Sequence, residues 1–204
     1  MNWYERNILP RILDTAMNQT AFRAIRETMV SQARGRILEI GMGSGLNIPH
    51  YRQDVQHLVA LEPSEKLRTM AASRAQPRSL ELEFIGLSGE SIPVEDNQFD
   101  DVVITWTLCT IPDHHQALAE IRRVLKPGGR MIFSEHGLAP EPSVQKWQHR
   151  INPFWNVICG GCNLNREPVR DIEQAGFKVD VTDASYIPGP RWATWTTRGI
   201  GQVR

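Results

Sequence analysis

Residues 36–47 read Arg-Ile-Leu-Glu-Ile-Gly-Met-Gly-Ser-Gly-Leu-Asn, and this stretch decides the fold. Its first part is a short apolar run that predicts a buried β-strand, Arg36–Ile40. Alternating glycines follow at once, and glycine allows a positive φ and a close approach of the backbone to a ligand. A helix is predicted next, over Leu46–Arg52, and a helix N-terminus favours electron-rich groups. The dinucleotide-binding fingerprint requires a glycine at position 46, where leucine stands, so the loop departs from that fingerprint.

Apolar runs and helical stretches alternate from residue 36 onward, which predicts a parallel sheet wrapped by helices. The predicted strands are Arg36–Ile40, His57–Glu62, Leu80–Ile85, Asp100–Trp106, Arg130–Glu135, Phe177–Ala184 and Trp192–Val203. The predicted helices are Leu46–Arg52, Ser64–Arg74, His114–Leu125, a Trp-rich stretch beyond residue 142, and a segment from about Arg166 to Ala175.

The N-terminal part of the chain has a helical pattern of its own. Apolar residues between positions 11 and 30 recur at helical spacing with charges mostly between them, which predicts an amphipathic helix with a break near Asn18. Packing on its own domain is the preferred interpretation of this helix, and contact with a membrane surface is the alternative.

Composition excludes several classes of protein. The 204 residues carry 23 basic and 23 acidic side chains without a basic run, which argues against nucleic-acid binding. No stretch reaches the roughly 18 apolar residues of a membrane helix, and no secretory signal is recognisable. Three cysteines are an odd and sparse set, unlike a disulfide framework, so a reduced, cytoplasmic protein is expected.

An acidic residue follows the second predicted strand, in Leu61-Glu-Pro-Ser64. The carboxyl ends of the strands line the ligand crevice of an open α/β sheet, and a carboxylate there suits the two hydroxyls of a ribose. The alternative for Glu62 is an exposed acid at the start of a helix.

Several motifs together resemble the class I S-adenosylmethionine-dependent methyltransferases. They are the glycine loop, Glu62, Gly89-Glu-Ser-Ile-Pro93 before Phe99-Asp100, and the helix end Ala119-Glu-Ile-Arg-Arg-Val-Leu-Lys-Pro-Gly-Gly129. The resemblance implies an α/β, Rossmann-like fold: a seven-stranded sheet with helices on both faces and an antiparallel last strand. One domain over residues 1–204 is expected, with a helical cap (1–35), a cofactor-binding core (36–136), and substrate-side helices and final strands (137–204).

The resemblance also implies the cofactor contacts. The cofactor would be S-adenosylmethionine, released as S-adenosylhomocysteine. The glycines would pass under its methionine part, Glu62 would hold the ribose, and the segment after the third strand would border the adenine. The implied cofactor-binding residues are Gly41, Gly43, Gly45, Asn47, Glu62, Pro63, Ser88, Gly89, Glu90 and Thr105. Many relatives have aspartate where this chain has Ser88.

The C-terminal third resembles a narrower family, the alkyl thiol S-methyltransferases of animals and their bacterial relatives. The matching segments are Thr105-Trp-Thr-Leu-Cys-Thr110, Ser134-Glu-His136, Asn152-Pro-Phe-Trp155 and Gly160-Gly-Cys-Asn-Leu-Asn-Arg-Glu167. A small thiol is thereby implied as substrate, while the membrane anchor of the animal members has no counterpart in these 204 residues. Leu46-Asn-Ile-Pro-His-Tyr51 is similar to small bacterial phosphatidylethanolamine N-methyltransferases, so an amine acceptor is the alternative.

The residues expected at the acceptor are aromatic, sulfur-containing or basic. Those predicted to bind substrate are Trp106, Cys109, Trp147, Trp155, Cys162 and Arg166. His136 is the candidate base, since an imidazole with a pKa of about 6.5 can take a thiol proton; a structural histidine is the alternative. A desolvated thiolate is nucleophilic, so a strong base is optional. Cys159 and Cys162 form a single C-x-x-C pair, which is thin evidence for zinc, and no metal site is predicted.

Overall fold

A computed structural model describes residues 3–86 and 88–203, except for the side chains of Trp3 and Glu5. Its strands are β1 (Ile37–Ile40), β2 (His57–Leu61), β3 (Glu81–Gly86), β4 (Phe99–Thr105), β5 (Leu125–His136), β6 (Phe177–Tyr186) and β7 (Trp195–Val203). Its helices are α1 (Trp3–Asn7), α2 (Leu9–Met17), α3 (Thr20–Met29), α4 (Glu65–Ala75), α5 (His114–Val124), α6 (Pro142–Ile158), α7 (Pro168–Gln174) and α8 (Arg191–Thr194).

The strands form one sheet in the order β3-β2-β1-β4-β5-β7-β6. Strands β1 to β5 pair in parallel with one another, and β7 runs antiparallel to both β5 and β6. The sheet order reverses between β1 and β4, and a ligand crevice is expected at such a switch point. The predicted seven-stranded sheet with an antiparallel last strand is confirmed.

Apolar cores cover both faces of the sheet. On one face, Leu118 and Ile121 of α5 pack with the buried side chains of the central strands. On the other face, Met29 of α3 and Ala71 of α4 do the same. All four residues of β1 are buried, as expected for a central parallel strand that is covered on both sides.

The predicted helix over Leu46–Arg52 is wrong. Only a 3-10 turn forms there, over Ile48–His50. Proline at position 49 has no N–H to donate, and Tyr51 is extended at φ −65° and ψ 148° because its phenol bonds the buried Glu39 carboxylate.

The N-terminal segment is helical with the expected break, since α2 ends at Met17 and α3 begins at Thr20. A further interruption at Ile8 separates α1 from α2. The last strand begins later than predicted, because Arg191–Thr194 form the short helix α8. None of the described helices is both long enough and apolar enough to span a bilayer.

Candidate active site

A cavity of about 960 Å³ lies at the carboxyl ends of the central strands. Its lining comes from the glycine loop after β1, the ends of β2, β4 and β5, and helix α2 above them. A volume of this size is typical of pockets that hold small molecules. The cavity therefore lies at the switch point of the sheet, where the sequence predicted a ligand.

The glycines of the loop have positive φ angles but different surroundings. Gly41 has a φ of +67°, and a side chain on it would collide with Thr107. Gly45 has a φ of +82° and packs so closely on Ala71 of α4 that a Cβ atom would lie 2.9 Å from its Cα. A Cβ atom on Gly43 would meet only the Gly41 carbonyl oxygen, at 4.0 Å. Gly43 thus leaves an open cradle at the cavity, whereas Gly45 serves packing and does not line it.

Glu62 is held at the cavity wall by two backbone amides. Its Oε2 accepts a hydrogen bond from Gly43 N and its Oε1 accepts one from Ser64 N, each at 2.8 Å. The side chain is 5% exposed, and burial raises its pKa. Each carboxylate oxygen has a second lone pair, so the group can accept two hydroxyl donors from a ligand. The structure thus places Glu62 at the cavity, in contrast to the alternative of an exposed helix-start acid.

A buried polar network lies beneath the glycine loop. Asn47 donates to Glu39 Oε1 at 2.9 Å and to Thr105 Oγ1 at 3.0 Å, and it accepts from Arg26 Nε at 2.9 Å. Tyr51 donates to the other Glu39 oxygen at 2.7 Å. Burial raises the pKa of Glu39 to about 7, against these hydrogen bonds. The amide of Asn47 is therefore engaged by the protein and ties the loop to β1, β4 and α3.

The segment after β3 contributes to the cavity only in part. Pro63, Ser88 and Gly89 line it. The Glu90 carboxylate instead accepts hydrogen bonds from Asp113 N at 2.7 Å and from Ser88 Oγ at 2.9 Å. Glu90 fixes the loop before α5 and is not among the lining residues, which differs from its expected position at the adenine edge.

Two cysteines and a histidine meet on the β4–β5 side of the cavity. Cys109 Sγ and Cys162 Sγ are 3.6 Å apart, and His136 Nε2 is 3.1 Å from Cys162 Sγ. Trp155 Nε1 donates to the same sulfur at 3.3 Å. We call Cys109, His136 and Cys162 the thiol–imidazole cluster. Cys159, the other member of the C-x-x-C pair, lines the cavity but is no part of the cluster.

Hydrogen bonds and burial shift the pKa values of the two thiols of the cluster in opposite directions. The hydrogen bond from Cys162 lowers the pKa of Cys109 despite burial, with help from the imidazole. The same hydrogen bond, together with burial, raises the pKa of Cys162. Burial works to lower the pKa of His136, but the neighbouring Cys109 and Glu135 charges outweigh it and raise that pKa. Because the two thiols share this hydrogen bond, their titrations are linked.

His136 faces the sulfurs through Nε2, and its Nδ1 is buried without a hydrogen-bond partner among the described residues. Its neighbour Glu135 points its Oε1 at Thr107 N and Leu108 N, at 2.8 and 3.1 Å. Burial, with the Cys109 charge, raises the pKa of Glu135 to about 8. Glu135 therefore anchors the loop that carries Cys109, a role that no sequence motif indicated.

Trp106 lines the cavity in a strained conformation. Its φ is +49°, a value that is costly for a residue with a large side chain. Its ring contacts Phe22 edge to face at 5.0 Å between centroids, and the Arg26 guanidinium lies 5.0 Å from the ring centroid. In this conformation the indole at the tip of β4 packs against side chains of α3.

Two residues predicted to bind substrate lie elsewhere. Trp147 is 57% exposed on α6, with Arg150 over its ring, and is absent from the cavity lining. Arg166 donates to the carbonyls of Leu108 and Ile111, so it holds the loop after β4 and does not line the cavity. Burial explains the position of Arg166, since a guanidinium that is partly buried needs several hydrogen-bond acceptors.

Helix α2 is fastened over the glycine loop by a group that the sequence did not reveal. Asp14 accepts from Arg74 Nη2 at 2.8 Å and from Ser44 Oγ at 2.5 Å, and Arg74 also donates to the Ser44 carbonyl. Leu13 and Met17 of α2 line the cavity. The N-terminal helices thus form one wall of the site.

Comparison with known proteins assigns the family. A family profile described as a methyltransferase domain matches residues 38–133. The thiol S-methyltransferase TMT1B of Mus musculus is 34% identical over 176 residues, which cover 84% of this chain and 71% of the mouse protein. The chain belongs to the S-adenosylmethionine-dependent methyltransferases. The cofactor of this methyltransferase is therefore S-adenosylmethionine, and the cradle at Gly43 beside the Glu62 carboxylate fits its ribose and methionine parts.

Other relatives define how far the similarity extends. TMT1B of Rattus norvegicus is 34% identical over 160 residues. The matched region covers 76% of this chain and only 65% of the rat protein. The demethylmenaquinone methyltransferase of Clavibacter sepedonicus is 29% identical over 63% of this chain and 53% of its own. The crystal structure of YcgJ from Bacillus subtilis matches with a TM-score of 0.73 at 18% identity, over 90% of this chain and 98% of that one.

Proposed function

We propose that this methyltransferase transfers a methyl group to the sulfur of a small thiol such as sulfide or methanethiol. The observation that carries the proposal is the character of the cavity on the β4–β5 side. Cys109, Trp155, Cys162 and Leu164 line it there, and no carboxylate of the described residues lines that side. An ammonium acceptor would lose its hydration there with no carboxylate beside it, which is costly, whereas a small thiol loses little. The similarity to the TMT1 proteins supports the same acceptor.

The residues that line the cavity contribute to the reaction by binding the two reactants and by excluding water. S-adenosylmethionine, when bound, supplies an electrophilic methyl group on a positively charged sulfur. Glu62 and the Gly43 cradle hold one end of the cavity, and Trp106 and Trp155 wall the other. Alignment of the reacting atoms and removal of water are the largest contributions that a protein makes to a displacement of this kind.

His136 is the candidate base. Because its Nε2 faces Cys162 and its Nδ1 is buried, a proton from the acceptor would reach the imidazole by way of that sulfur. Direct abstraction by His136 remains a prediction, and the thiol acceptor does not depend on it, since a thiol needs only a weak base.

The first test measures release of S-adenosylhomocysteine with sulfide, methanethiol, a larger alkyl thiol, an ethanolamine phospholipid and a phenol, each against a control without acceptor. We expect turnover with the small thiols. Turnover with the phospholipid or the phenol alone would overturn the proposal and leave the cofactor assignment intact.

A pair of tryptophan variants on α6 tests the location of the acceptor. Trp155→Phe removes the N–H that donates to Cys162, and we expect it to raise the KM for the thiol about 3–10-fold with the cofactor Kd unchanged. Trp147→Phe, at the exposed position on the same helix, is the control and should alter neither constant. An unchanged KM in Trp155→Phe would place the acceptor elsewhere.

A second candidate acceptor is an amine on an amphiphile. Ile12 and Ile158 line the cavity and are 50% and 59% exposed, so its rim carries apolar side chains. Co-sedimentation with vesicles of phosphatidylethanolamine and phosphatidylcholine, together with turnover on those vesicles, would favour this candidate over the thiol.

A further inference from the structure

The thiol–imidazole cluster brings together three side chains from separate parts of the chain. Cys109 follows β4, His136 ends β5, and Cys162 follows α6. Their ligand atoms, two sulfurs and Nε2, all lie within 4.8 Å of one another. All three residues line the same cavity, so the cluster has an open side.

The spacing matches the first coordination sphere of zinc. Zinc bonds of about 2.3 Å to sulfur and about 2.0–2.1 Å to nitrogen place tetrahedral ligands roughly 3.8 Å (sulfur to sulfur) and roughly 3.5 Å (sulfur to nitrogen) apart. The observed separations are 3.6 Å between the sulfurs and 3.1 Å between His136 Nε2 and Cys162 Sγ. An outward movement of the imidazole by a few tenths of an ångström would complete the fit.

We propose that Cys109, His136 and Cys162 bind one zinc ion, whose fourth position opens into the acceptor side of the cavity. Two thiolates and one neutral imidazole are a ligand set that suits zinc, and three protein ligands with one free position are typical of a catalytic zinc site. On binding, Zn²⁺ replaces the thiol protons of Cys109 and Cys162, which leave to solvent. Two thiolate charges then balance the charge of the ion.

The surroundings of the cluster suit this ligand set. Trp155 Nε1 donates to Cys162 Sγ at 3.3 Å, and such outer hydrogen bonds orient a ligand and moderate its charge. Glu135 fixes the loop that carries Cys109 through two backbone amides. The ligand pair is not the C-x-x-C pair that the sequence displays, since Cys109 and Cys162 are 53 residues apart.

The open position has a consequence for the reaction. A thiol that coordinates zinc there loses its proton and is held as a thiolate beside Trp106, with the proton released to solvent. This role for the ion rests on the proposed thiol acceptor, whereas the binding of zinc does not.

Metal content tests the site directly. The full chain is produced with zinc in the medium, purified with a phosphine reductant, and measured for zinc, copper and iron by mass spectrometry. We expect about one zinc per chain, and a loss of at least tenfold in Cys109→Ala and in Cys162→Ala. The matched control Cys159→Ala changes the third cysteine, outside the cluster, and should retain the ion. The proposal would be overturned by a zinc content below about a tenth of an equivalent, or by copper in place of zinc. Retention of zinc in both cluster variants, or loss of zinc in the control, would also overturn it.

Cobalt substitution tests the coordination without relying on variants, which could fold poorly. Apoprotein titrated with cobalt(II) should show a thiolate charge-transfer band and the intense visible bands of tetrahedral geometry, saturating at one equivalent. Methanethiol should then shift those bands. Spectra without the charge-transfer band would overturn the site, and spectra insensitive to methanethiol would overturn the open fourth position. A Cys109–Cys162 disulfide that persists under the reductant and blocks uptake would also overturn the proposal.

The two proposals fail in different ways. One zinc per chain with no turnover on any thiol would overturn the proposed function and leave the metal site standing. Undiminished thiol turnover in metal-free protein would overturn the activating role of the ion and leave the function standing.

Discussion

At the scale of single residues, two buried glutamates near the glycine loop have different tasks. Both carboxylate oxygens of Glu39 accept hydrogen bonds from the protein, one from Asn47 and one from Tyr51, so this side chain supports the loop from beneath. Glu62 uses one lone pair of each oxygen on a backbone amide and keeps the others for the cavity. Glu39 lies inside β1 and Glu62 directly follows β2, and their hydrogen-bond partners distinguish the residue that braces the loop from the residue that faces the cavity.

Glu62→Gln should weaken cofactor binding. The amide supplies one acceptor oxygen where the carboxylate has two, and a charge-assisted hydrogen bond contributes about 1.5–3 kcal/mol, so the Kd for S-adenosylhomocysteine should rise roughly 10–100-fold. Isothermal titration calorimetry measures it. Glu83→Gln, at an exposed position on β3 beside His57, is the control and should bind as the wild type does. Equal affinities for all three proteins would remove Glu62 from the cofactor site.

Glu39 should impose a pH dependence on stability. Its pKa is about 7 in the folded protein and 4.5 ordinarily, so the folded state binds the proton more tightly. The stabilisation from this group is full below about pH 4.5 and is lost as the pH rises through about 7. In urea unfolding without cofactor, the free energy of unfolding of the wild type relative to Glu39→Gln should fall by about 2–3 kcal/mol between about pH 5 and about pH 8. A constant difference would show that Glu39 titrates normally.

At the scale of elements, the N-terminal helices are as much a part of the site as the loop that they cover. Arg26 of α3 reaches Asn47 behind the glycine loop, and Asp14 of α2 reaches Ser44 in front of it. Each contact joins an N-terminal helix to a residue of the loop, and Asn47 is also bonded to the sheet through Glu39 and Thr105. The glycine loop is therefore fixed from both sides by elements outside the sheet.

Loosening α2 should speed release of the product. Asp14→Ala removes the partner of Arg74 and Ser44, a half-buried ion pair worth on the order of 1 kcal/mol, so the dissociation rate of S-adenosylhomocysteine should rise about 3–10-fold. Stopped-flow displacement measures the rate, and hydrogen exchange of the α2 amides should quicken in parallel.

Asp54→Ala serves as the matched control, because it breaks the exposed Arg52–Asp54 pair on the far side of the 3-10 turn. Both readouts should equal those of the wild type. A release rate that is unchanged in Asp14→Ala would mean that α2 does not restrain the ligand.

At the scale of the whole molecule, the site joins parts of the chain that fold into different layers. The glycine loop and Glu62 follow β1 and β2, and Trp106 follows β4 across the switch point. Occupation of the cavity therefore couples the N-terminal helices, the sheet and the α6 region. A ligand that contacts all of them stabilises the folded state as one unit.

S-adenosylhomocysteine at about 100 times its Kd should raise the melting temperature by about 5–10 °C. This follows from a stabilisation of about 2.7 kcal/mol and a shift of about 2–4 °C per kcal/mol for a chain of this size. Scanning calorimetry measures it, and Glu62→Gln at the same ligand concentration should show a clearly smaller shift. A melting temperature independent of the ligand would contradict binding at this cavity.

Local sequence was sufficient for the sheet and for the glycine loop. Strand-length apolar runs and alternating glycines act over a few residues, so they predicted β1 and the loop after it correctly. Glu62 lies at the predicted crevice, and its contact with the ribose stays a prediction. The helix at 46–52 was wrong because Pro49 and the tertiary bond of Tyr51 to Glu39 prevail over local pattern there.

Only the tertiary structure decided the partners of the functional side chains. The sequence named Cys109, His136 and Cys162 separately and paired Cys162 with Cys159, yet folding places it against Cys109, because β4, β5 and the end of α6 meet at one edge of the sheet. Arg166 bonds carbonyls and Trp147 stays exposed for the same reason: which side chain reaches the cavity depends on how helices pack on strands far away in sequence. The fold and the family can be recognised from patterns of neighbouring residues. A set of ligand atoms depends on contacts between residues far apart in sequence, so only the packed chain determines it.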